Sequence, residues 1–539
     1  MQALKEWSKP LGLQLLTFGE CAGVKTPFSN GGKGKMNFRK DNAWLLPISQ
    51  LYLANKISRR TFLTWCSAAG ITFASPWYLS GCDNSTSKPG NGETDVLSDL
   101  SASRASSDQH KFLKEIGRKY EGVKLRLLLE DTPPSTATLE MAKKEFSPIT
   151  GIELEWVQLP LDKVFAQTIA DTSLQTGHHD IFYFDQAWVG RFTNDVVRPS
   201  ELLSQTDLAY PDYQFGDILP PLVENIASYQ GKLVGIPYDI PIFILIYRED
   251  LLEKAGLDVP TDLNQYLETV AKLNRSVDRS AYGTSLQWRL GHYSLECNMT
   301  AWLWAHGGSI FHADQSPAIN DPEAHQAMKY MLELGKYAPP QVTTFDWSDE
   351  AAAFRDGQAA MYMSWGEFFP TFDDPQMSKI VGKAQTAQCP KPFALKTKQQ
   401  CAFDETPGVS HQGGSCIAIS KYSKNVEAAW LFMQWATSSD ITTRSNLLAG
   451  GASPIRASNY DDPRTLERQR VAKGSTRHLP TVREAIENHM GTEPHLPGWA
   501  DLANNSFAVE LGKMVSGQQA IDATLGNMAK ATEQAVKIS

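Results

Sequence analysis

The amino-acid sequence predicts an α/β fold divided into two lobes, and two observations support this prediction. Short apolar runs alternate with segments of helical periodicity from residue 123 onwards, which is typical of a mostly parallel sheet covered by helices. The chain has 539 residues, whereas single domains usually contain about 50–250 residues. We therefore expect at least two folded units, each with its own core.

Five consecutive segments justify the α/β prediction. Their apolar spacing predicts the order strand, helix, strand, helix, strand at residues 123–129, 136–146, 152–157, 161–174 and 181–184. In sheets of this kind, ligands bind beyond the carboxyl ends of the parallel strands. The sequence therefore predicts a site near Glu130 and Asp185, which follow the first and third strands.

Composition and charge narrow the class of protein. Hydrophobic residues make up 42% and charged residues 21% of the chain, which is ordinary for a globular protein and excludes disorder throughout. The formal net charge is -9, and the sequence has no basic stripe interleaved with aromatic residues. Nucleic acid is therefore not an expected partner.

The N-terminal region carries two export motifs in the expected order. Arg59 and Arg60, within Ser-Arg-Arg-Thr-Phe-Leu-Thr, resemble the twin-arginine signal of bacteria. An apolar run at residues 62–79 is interrupted by polar residues, which favours a transient signal segment over a membrane-spanning helix. It ends at Leu-Ser-Gly-Cys82, which resembles a lipobox whose cysteine accepts a lipid. The alternative is a buried apolar helix with a chance cysteine.

These motifs predict how the N-terminal part of the chain is processed. We expect residues 1–81 to be a signal segment that is removed, with Met36 as an alternative translation start. Polar residues dominate from Cys82 to about residue 107, a composition that cannot bury enough apolar area to fold. Residues 82–119 are therefore expected to form a flexible, lipid-anchored tether.

A series of motifs extends over the rest of the chain in a fixed order. They are Gly231-Lys-Leu-Val-Gly-Ile-Pro-Tyr-Asp239, Gly307-Gly308, Asn320-Asp-Pro-Glu323, Phe354-Arg-Asp-Gly357, Gly450-Gly-Ala-Ser-Pro454 and Leu496-Pro-Gly-Trp499. Together they resemble the extracellular solute-binding proteins of family 1, the maltose-binding-protein-like receptors of ATP-driven (ABC) importers. The resemblance covers residues 123–530.

The resemblance implies a periplasmic-binding-protein fold of type II, with two α/β lobes and a C-terminal helical part. Three hinge crossings are expected near residues 236–240, 360–364 and 413–417. The first lobe would contain residues 120–236 and 364–412, and the second residues 241–359 and 418–535. A ligand that contacts both lobes would stabilise a closed form of the cleft between them.

The function that the resemblance implies is that of a substrate-binding lipoprotein of an ABC importer. It would be exported, anchored by lipid at the cell membrane or in the periplasm, and would act as a monomer without a cofactor. Its ligand would be a small carbohydrate, polyol or glycoside, and its protein partners the permease and ATPase subunits. Two alternatives remain open: an extracellular glycosidase that uses cleft carboxylates, and a binding protein for a non-sugar solute such as a polyamine or metal chelate.

A sugar presents apolar C–H faces and a rim of hydroxyl groups, so its site needs aromatic platforms together with carboxylates. Candidates after predicted strands or at predicted crossings are Glu130, Asp185, Trp188, Asp239, Trp365 and Glu367. The resemblance adds Tyr238, Trp302, His411, Arg456 and Trp499. No catalytic residue is expected, because no motif positions a pair of acids for hydrolysis.

Some of these candidates have structural alternatives. Glu130 precedes Asp131 and Thr132, so it could belong to a helix cap. Trp302 lies in a helical pattern that is typical of a core. Asp239 favours the ligand-binding interpretation, because a carboxylate within the apolar run 236–246 needs a buried partner or a ligand hydroxyl.

Two cysteines are candidates for a disulfide, and two adjacent histidines are considered as metal ligands. Cys389 and Cys401 could close a disulfide in an oxidising compartment, and the alternative is that both are small buried hydrophobes. His178 and His179 are adjacent on a turn and point in different directions. We therefore expect no metal site there.

Overall fold

The structure is a computed structural model that describes residue 103 and residues 105–449 and 453–538. Arg59, Arg60, Cys82 and most of the expected tether lie outside the described residues. The prediction of a flexible tether is wrong at the end of that segment, because Ser107–Gly117 form a helix whose Leu113 is buried. Among the helices of the described part, none combines the length and the apolar character that crossing a bilayer requires.

The strands of the described residues form two main sheets and two short pairs. Their bounds are β1 Lys124–Glu130, β2 Glu153–Leu159, β3 Ile181–Asp185, β4 Ser228–Tyr229, β5 Lys232–Leu233, β6 Ile236–Asp239, β7 Phe243–Arg248, β8 Tyr282–Thr284, β9 Ala359–Trp365, β10 Ala384–Ala387, β11 Ser410–His411, β12 Ser415–Ile419 and β13 Met490–Gly491.

The α-helices cover these sheets and form the C-terminal part. They are α1 Ser107–Gly117, α2 Pro133–Met141, α3 Ser147–Thr150, α4 Leu161–Leu174, α5 Val189–Phe192, α6 Pro199–Leu203, α7 Pro220–Asn225, α8 Glu249–Ala255, α9 Leu263–Leu273, α10 Tyr293–Ala305, α11 Pro322–Gly335, α12 Trp347–Arg355, α13 Val426–Ala436, α14 Ser439–Ala449, α15 Ala457–Tyr460, α16 Pro463–Glu467, α17 Leu479–Asn488, α18 Trp499–Asp501, α19 Ala508–Val515 and α20 Ile521–Ile538.

The first sheet has the strand order β2-β1-β3-β12-β6. Strand β1 pairs in parallel with β2 and β3, whereas β12 runs antiparallel to both β3 and β6. The strands and helices expected from residues 123–184 all form, within a few residues of their predicted bounds. Thr132 begins α2 by accepting a hydrogen bond from the Ser135 amide, so the cap of this helix is Thr132 and not Glu130.

The second sheet has the strand order β10-β7-β9-β8. Strands β10 and β9 flank β7 in antiparallel pairing, and β8 pairs in parallel with β9. Helices α9 and α12 pack on this sheet, and the C-terminal helices α19 and α20 pack on α10 and α11. We call the elements around the two sheets the first and second lobes.

The described elements are connected from one lobe to the other at three places. Residues 240–242 connect β6 to β7, and residues 412–414 precede β12. These two passages lie side by side. The Gly413 amide donates to the Pro241 carbonyl at 3.0 Å, and Ile242 forms an antiparallel β-bridge with Gln412. The third passage follows α14, which packs on α2, and leads to α17, which packs on β7.

These pairings differ from the lobe boundaries expected from the sequence. Residues 360–364, expected to be a crossing, lie inside β9 and are held in the second sheet by β7 and β8. Residues 384–387, expected in the first lobe, form β10 and complete the second sheet on β7. Strand β12 and helix α13 begin the segment expected in the second lobe, but both pack on the first sheet.

Candidate functional site

Three predicted carboxylates end strands of the first sheet. Glu130 is the last residue of β1, Asp185 of β3 and Asp239 of β6. The strand pairings make these three strands parallel to one another, so their carboxyl ends lie at the same edge of the sheet. Ser415, the first residue of β12, pairs with both Asp185 and Asp239. The structure therefore brings these acids to the edge at which ligands of α/β sheets bind.

A fourth predicted acid reaches this edge from the second lobe. The Gly366 amide donates to the Ile242 carbonyl at 2.9 Å, which holds the end of β9 beside the passage that follows Asp239. Glu367 is the next residue. We call Glu130, Asp239 and Glu367 the carboxylate cluster, since Asp239 raises the pKa of Glu130, and both raise the pKa of Glu367.

Burial dominates the electrostatics of the carboxylate cluster. It raises the pKa of Glu130 to about 7, with a further rise from Asp239, while the Tyr183 hydroxyl lowers it. Burial also raises the pKa of Asp239 to about 6, against the lowering effect of the Thr132 hydroxyl. The pKa of Glu367 is raised well above its ordinary value by burial and then by Asp239 and Glu130.

Asp239 carries the clearest sign of an incomplete polar site. Its side chain is only 3% exposed, and its Oδ1 atom has no hydrogen-bond partner in the described residues. A buried carboxylate oxygen without a partner costs free energy, because it has lost its hydration without compensation. A ligand that donates a hydrogen bond to this atom would recover that cost.

A second group of polar side chains surrounds Glu493, which the sequence did not single out. Its carboxylate accepts hydrogen bonds from Gln186 Nε2 at 2.8 Å, Tyr293 OH at 2.6 Å and Trp499 Nε1 at 2.7 Å, and lies 2.8 Å from His411 Nε2. We call these five residues the Glu493 network. Burial raises the pKa of Glu493, but the hydrogen bond and charge of His411 and the other donors lower it overall.

The Glu493 network joins the two lobes. Gln186 belongs to the 3₁₀ helix that follows β3 in the first lobe, and Tyr293 begins α10 in the second lobe.

Two further acids lie next to the Glu493 network. Burial and then Glu493 raise the pKa of both Asp185 and Glu296 well above their ordinary values. Asp185 also accepts from the Ala187 amide at 2.8 Å.

Trp365 lies between the second sheet and the paired passages. Its ring centroid is 4.3 Å from that of Phe243 and 5.6 Å from that of His411, and its Nε1 donates to Gln287 Oε1 at 3.1 Å. A Cβ atom added to Gly413 would lie 3.0 Å from the Trp365 ring. The glycine therefore allows the passage to approach the indole closely.

Three predicted residues are held by contacts away from the carboxylate cluster. Trp188 packs on Phe165, with 4.9 Å between the ring centroids. Trp302 lies in the second-lobe core, where its ring centroid is 5.2 Å from that of Tyr330. Arg456 is buried and donates to the carbonyl oxygens of Thr437 and Gln214.

Tyr238 lies near the carboxylate cluster, since burial raises its pKa and the charge of Asp239 raises it further. It also faces a small cavity that is lined by Pro134, Thr138 and Ser445.

The structure also describes the two cysteines for which the sequence suggested a disulfide. Cys389 and Cys401 are free thiols, so the structure does not contain the disulfide considered from the sequence. The Cys389 thiol donates to the Phe243 carbonyl and the Cys401 thiol to the Thr397 carbonyl, so each is satisfied separately.

One group of metal-ligating atoms lies within 4.8 Å in the part of the chain that the structure describes. It consists of Cys297, His411 and Glu493. Both carboxylate oxygens of Glu493 already take part in the Glu493 network. These hydrogen bonds alone account for the arrangement.

The chain matches the family of bacterial extracellular solute-binding proteins over residues 141–468. It is 26% identical over 290 residues to the mannitol-binding protein of Pseudomonas aeruginosa, covering 53% of this chain and 62% of that protein. It is 22% identical over 445 residues to the erythritol/L-threitol-binding protein of Mycolicibacterium smegmatis, covering 77% and 84% of the two chains. A relative in Sinorhizobium fredii, named "Probable amino-acid ABC transporter periplasmic-binding protein y4oP", is 24% identical over 388 residues, with coverage of 69% and 83%.

Solved structures share the fold. An ABC transporter solute-binding protein from Agrobacterium radiobacter K84, in complex with ribitol, superposes with a TM-score of 0.67 and 25% identity, over 78% of this chain and 99% of that chain. Maltose-bound MalE3 of T. maritima superposes with a TM-score of 0.65 and 21% identity, over 77% and 100% of the two chains. The predicted two-lobe α/β fold is confirmed, and the chain belongs to the bacterial extracellular solute-binding protein family.

Proposed function

We propose that this protein is the substrate-binding component of an ABC importer and captures a polyol or a small sugar between its lobes. The observation that carries the proposal is the carboxylate cluster, to which both lobes contribute and in which the buried Asp239 Oδ1 has no partner among the described residues. The names of the relatives support the ligand class, because they include binding proteins for mannitol and for erythritol or threitol.

The chemistry of the cleft suits a ligand that is rich in hydroxyl groups. Each carboxylate oxygen accepts hydrogen bonds, and a vicinal diol donates two at the spacing of one carboxylate. A ligand bound to Asp239 and Glu367 together would contact both lobes. Because it would interact with the closed form more strongly than with an open form, its binding would shift the population toward closure.

The two adjacent passages provide the hinge in this proposal. Residues 240–242 and 412–414 are joined by the hydrogen bond from Gly413 to Pro241, so they would bend together. The importer would recognise the closed form, and the permease and ATPase subunits would be the protein partners. Export by Arg59 and Arg60 and anchoring through Cys82 belong to the same proposal, since an importer needs its receptor outside the cytoplasm.

Hydrolysis of a glycoside is the competing function. The family and the named relatives are binding proteins, and binding alone explains why both lobes contribute to the carboxylate cluster. Incubation with labelled oligosaccharides separates the two functions. Saturable binding without turnover supports the receptor, and turnover that is lost in an Asp239→Asn variant would establish the enzyme instead.

A thermal-shift screen tests the proposed ligand class. The purified protein is heated with mannitol, ribitol, erythritol, glucose, maltose or buffer alone. A ligand that binds only the folded state stabilises it by about 2.7 kcal/mol at a hundred times its Kd, so the melting temperature should rise with at least one polyol or sugar. The rise should shrink in Asp239→Asn. An unchanged melting temperature with every polyol and sugar would overturn the proposal.

A further inference from the structure

The carboxylate cluster has no counter-charge. Within the described residues, none of its three members forms an ion pair with a lysine, arginine or histidine, although such pairs occur elsewhere on both lobes. The ionisable groups that face the cluster are the acids Asp131 and Asp185 and the phenols Tyr183 and Tyr238. None of these groups can contribute a positive charge. The described residues therefore do not balance the negative charge of the cluster.

A second observation shows that hydrogen-bond donors are missing as well. Asp239 Oδ1 and Ser415 Oγ are both buried and have no hydrogen-bond partner in the part of the chain that the structure describes. The two residues are opposite each other in the β12–β6 pair, so their side chains lie on the same face of the sheet. Both atoms would be satisfied by one ligand group at the end of β6.

We propose that the ligand of this cleft is a hydroxylated amine, whose ammonium group lies among the three carboxylates of the cluster while its hydroxyl groups are bound by the neighbouring polar side chains. This inference rests on the proposed function and specifies its ligand.

An ammonium group matches the cluster in charge and in geometry. It carries three N–H donors and no acceptor, and the cluster offers three carboxylates from two lobes. Hydrogen bonds between charged groups are roughly twice as strong as those between neutral groups. A neutral polyol would leave the repulsion among the carboxylates in place.

The ammonium group would also explain how closure becomes dependent on the ligand. Closing the cleft brings Glu367 of the second lobe toward Glu130 and Asp239 of the first. The effect of the two first-lobe acids on Glu367 is visible in its pKa, which burial and then Asp239 and Glu130 raise well above the ordinary value. Without a cation, closure requires either proton uptake or repulsion between ionised groups. With the cation bound, both lobes are attracted to the same charge.

Matched ligand pairs test this inference. Glucamine and glucitol differ only in an amine that replaces one hydroxyl, and glucosamine and glucose form the corresponding cyclic pair. Dissociation constants are measured by calorimetry at pH 5.5 and pH 8.0 in buffer with EDTA. We expect the amine of at least one pair to bind about tenfold or more tightly than its neutral partner at pH 8.0, which corresponds to about 1.4 kcal/mol. The ratio should fall at pH 5.5, where Asp239 and Glu130 are protonated to a greater extent.

Two variants separate a local effect from a general effect of charge. Glu367→Gln removes one charge from the cluster and should lower the ratio of amine to neutral affinity toward one. Glu140→Gln removes an equal charge from the exposed surface of α2 and should leave the ratio unchanged. Equal ratios in both variants would overturn the inference, because the preference would then follow from net charge alone.

The remaining outcomes are also decisive. Tighter binding of glucitol or glucose than of the amine would overturn the ammonium proposal and leave the capture of polyols or sugars intact. Binding of putrescine more tightly than of any hydroxylated amine would overturn the hydroxylated class. A melting temperature that rises with Ca²⁺ alone, together with competition between Ca²⁺ and glucamine, would assign the cluster to a divalent cation instead. Binding of neither member of either pair would overturn the ammonium proposal, and the wider polyol screen then decides on the proposed function.

Discussion

Asp239 combines a role in the proposed site with a cost to the folded protein. Burial raises its pKa from an ordinary value of 3.8 to about 6, so the fold favours the protonated form. The stability that this preference contributes is fully present below about pH 4 and is lost as the pH rises through 6. At neutral pH the residue is therefore ionised at the expense of stability, which is typical of functional sites.

We expect Asp239→Asn to stabilise the ligand-free protein at pH 8 relative to the wild type, and to do so by only about a third as much at pH 4.5. The difference between pKa values of 3.8 and about 6 corresponds to an upper value of about 3 kcal/mol, because one pKa unit is worth about 1.4 kcal/mol. The same substitution should weaken ligand binding. Urea unfolding at both pH values measures the free energies.

The control for this prediction is Asp258→Asn, which removes an exposed carboxylate from the second lobe. Its unfolding free energy should differ from that of the wild type by the same small amount at both pH values. If Asp239→Asn shows no greater gain at pH 8 than Asp258→Asn, the buried charge at Asp239 does not destabilise the protein.

Part of the site could be predicted residue by residue. Glu130, Asp185, Asp239 and Glu367 were identifiable because each follows a predicted strand or crossing, and the structure brings them to one edge. Glu493 was not identifiable, because the donors that surround it come from four separate segments of the chain. Tyr293 and Glu296 lie on α10, a helix buried on all sides, so periodicity could not distinguish polar residues that face the cleft from those that face the core.

At the scale of secondary structure, the local sequence pattern was sufficient to predict those helices and strands that are defined by the spacing of their own apolar residues. Helix α4 has the bounds expected from its periodicity, and β1, β2 and β3 are displaced from theirs by one or two residues at most. Strand β10 was not predicted, because its four residues become a strand only by pairing with the free edge of β7. This non-local pairing is also the reason that the expected lobe boundaries were wrong between residues 364 and 412.

Gly413 connects local structure with the proposed hinge. Glycine at such a position can serve an unusual backbone angle, but the φ angle of Gly413 does not lie in the left-handed region. The structure gives a different reason: an added Cβ atom would lie 3.0 Å from the Trp365 ring and 3.5 Å from Pro241. The absence of a side chain allows the passage to pack against the indole.

We therefore expect Gly413→Ala to weaken ligand binding by roughly tenfold, because the displaced indole costs about 1–3 kcal/mol in the closed form. The matched control is Gly526→Ala within α20, where an added Cβ atom has nothing within 4 Å. That substitution should raise stability by about 0.5–1 kcal/mol, as expected for a helix interior, without changing affinity. Calorimetric titration with the ligand found in the thermal-shift screen gives both affinities. Equal affinities in the two variants would show that the packing on Trp365 does not control closure.

At the scale of the whole molecule, a receptor must meet its importer as well as bind its ligand. A lipid on Cys82 would confine the lobes to a thin layer above the membrane, where the effective concentration at the permease is high. The lobes themselves would need no contact with the bilayer. Anchoring and ligand binding would then be separable functions of one chain, and each could be removed while the other is retained.

We expect Cys82→Ala to move the protein from the membrane fraction to the soluble exported fraction and to reduce uptake of the ligand by the cells. Binding by the purified variant should equal that of the wild type, since residue 82 is far along the chain from the cleft residues. Arg59→Lys combined with Arg60→Lys is the companion variant, and it should retain the unprocessed protein in the cytoplasm. Fractionation and immunoblotting measure the location, and uptake of labelled ligand measures transport. Normal uptake by cells that release the Cys82→Ala protein would show that diffusion alone supplies the importer, and the lipid anchor would then have no role in transport.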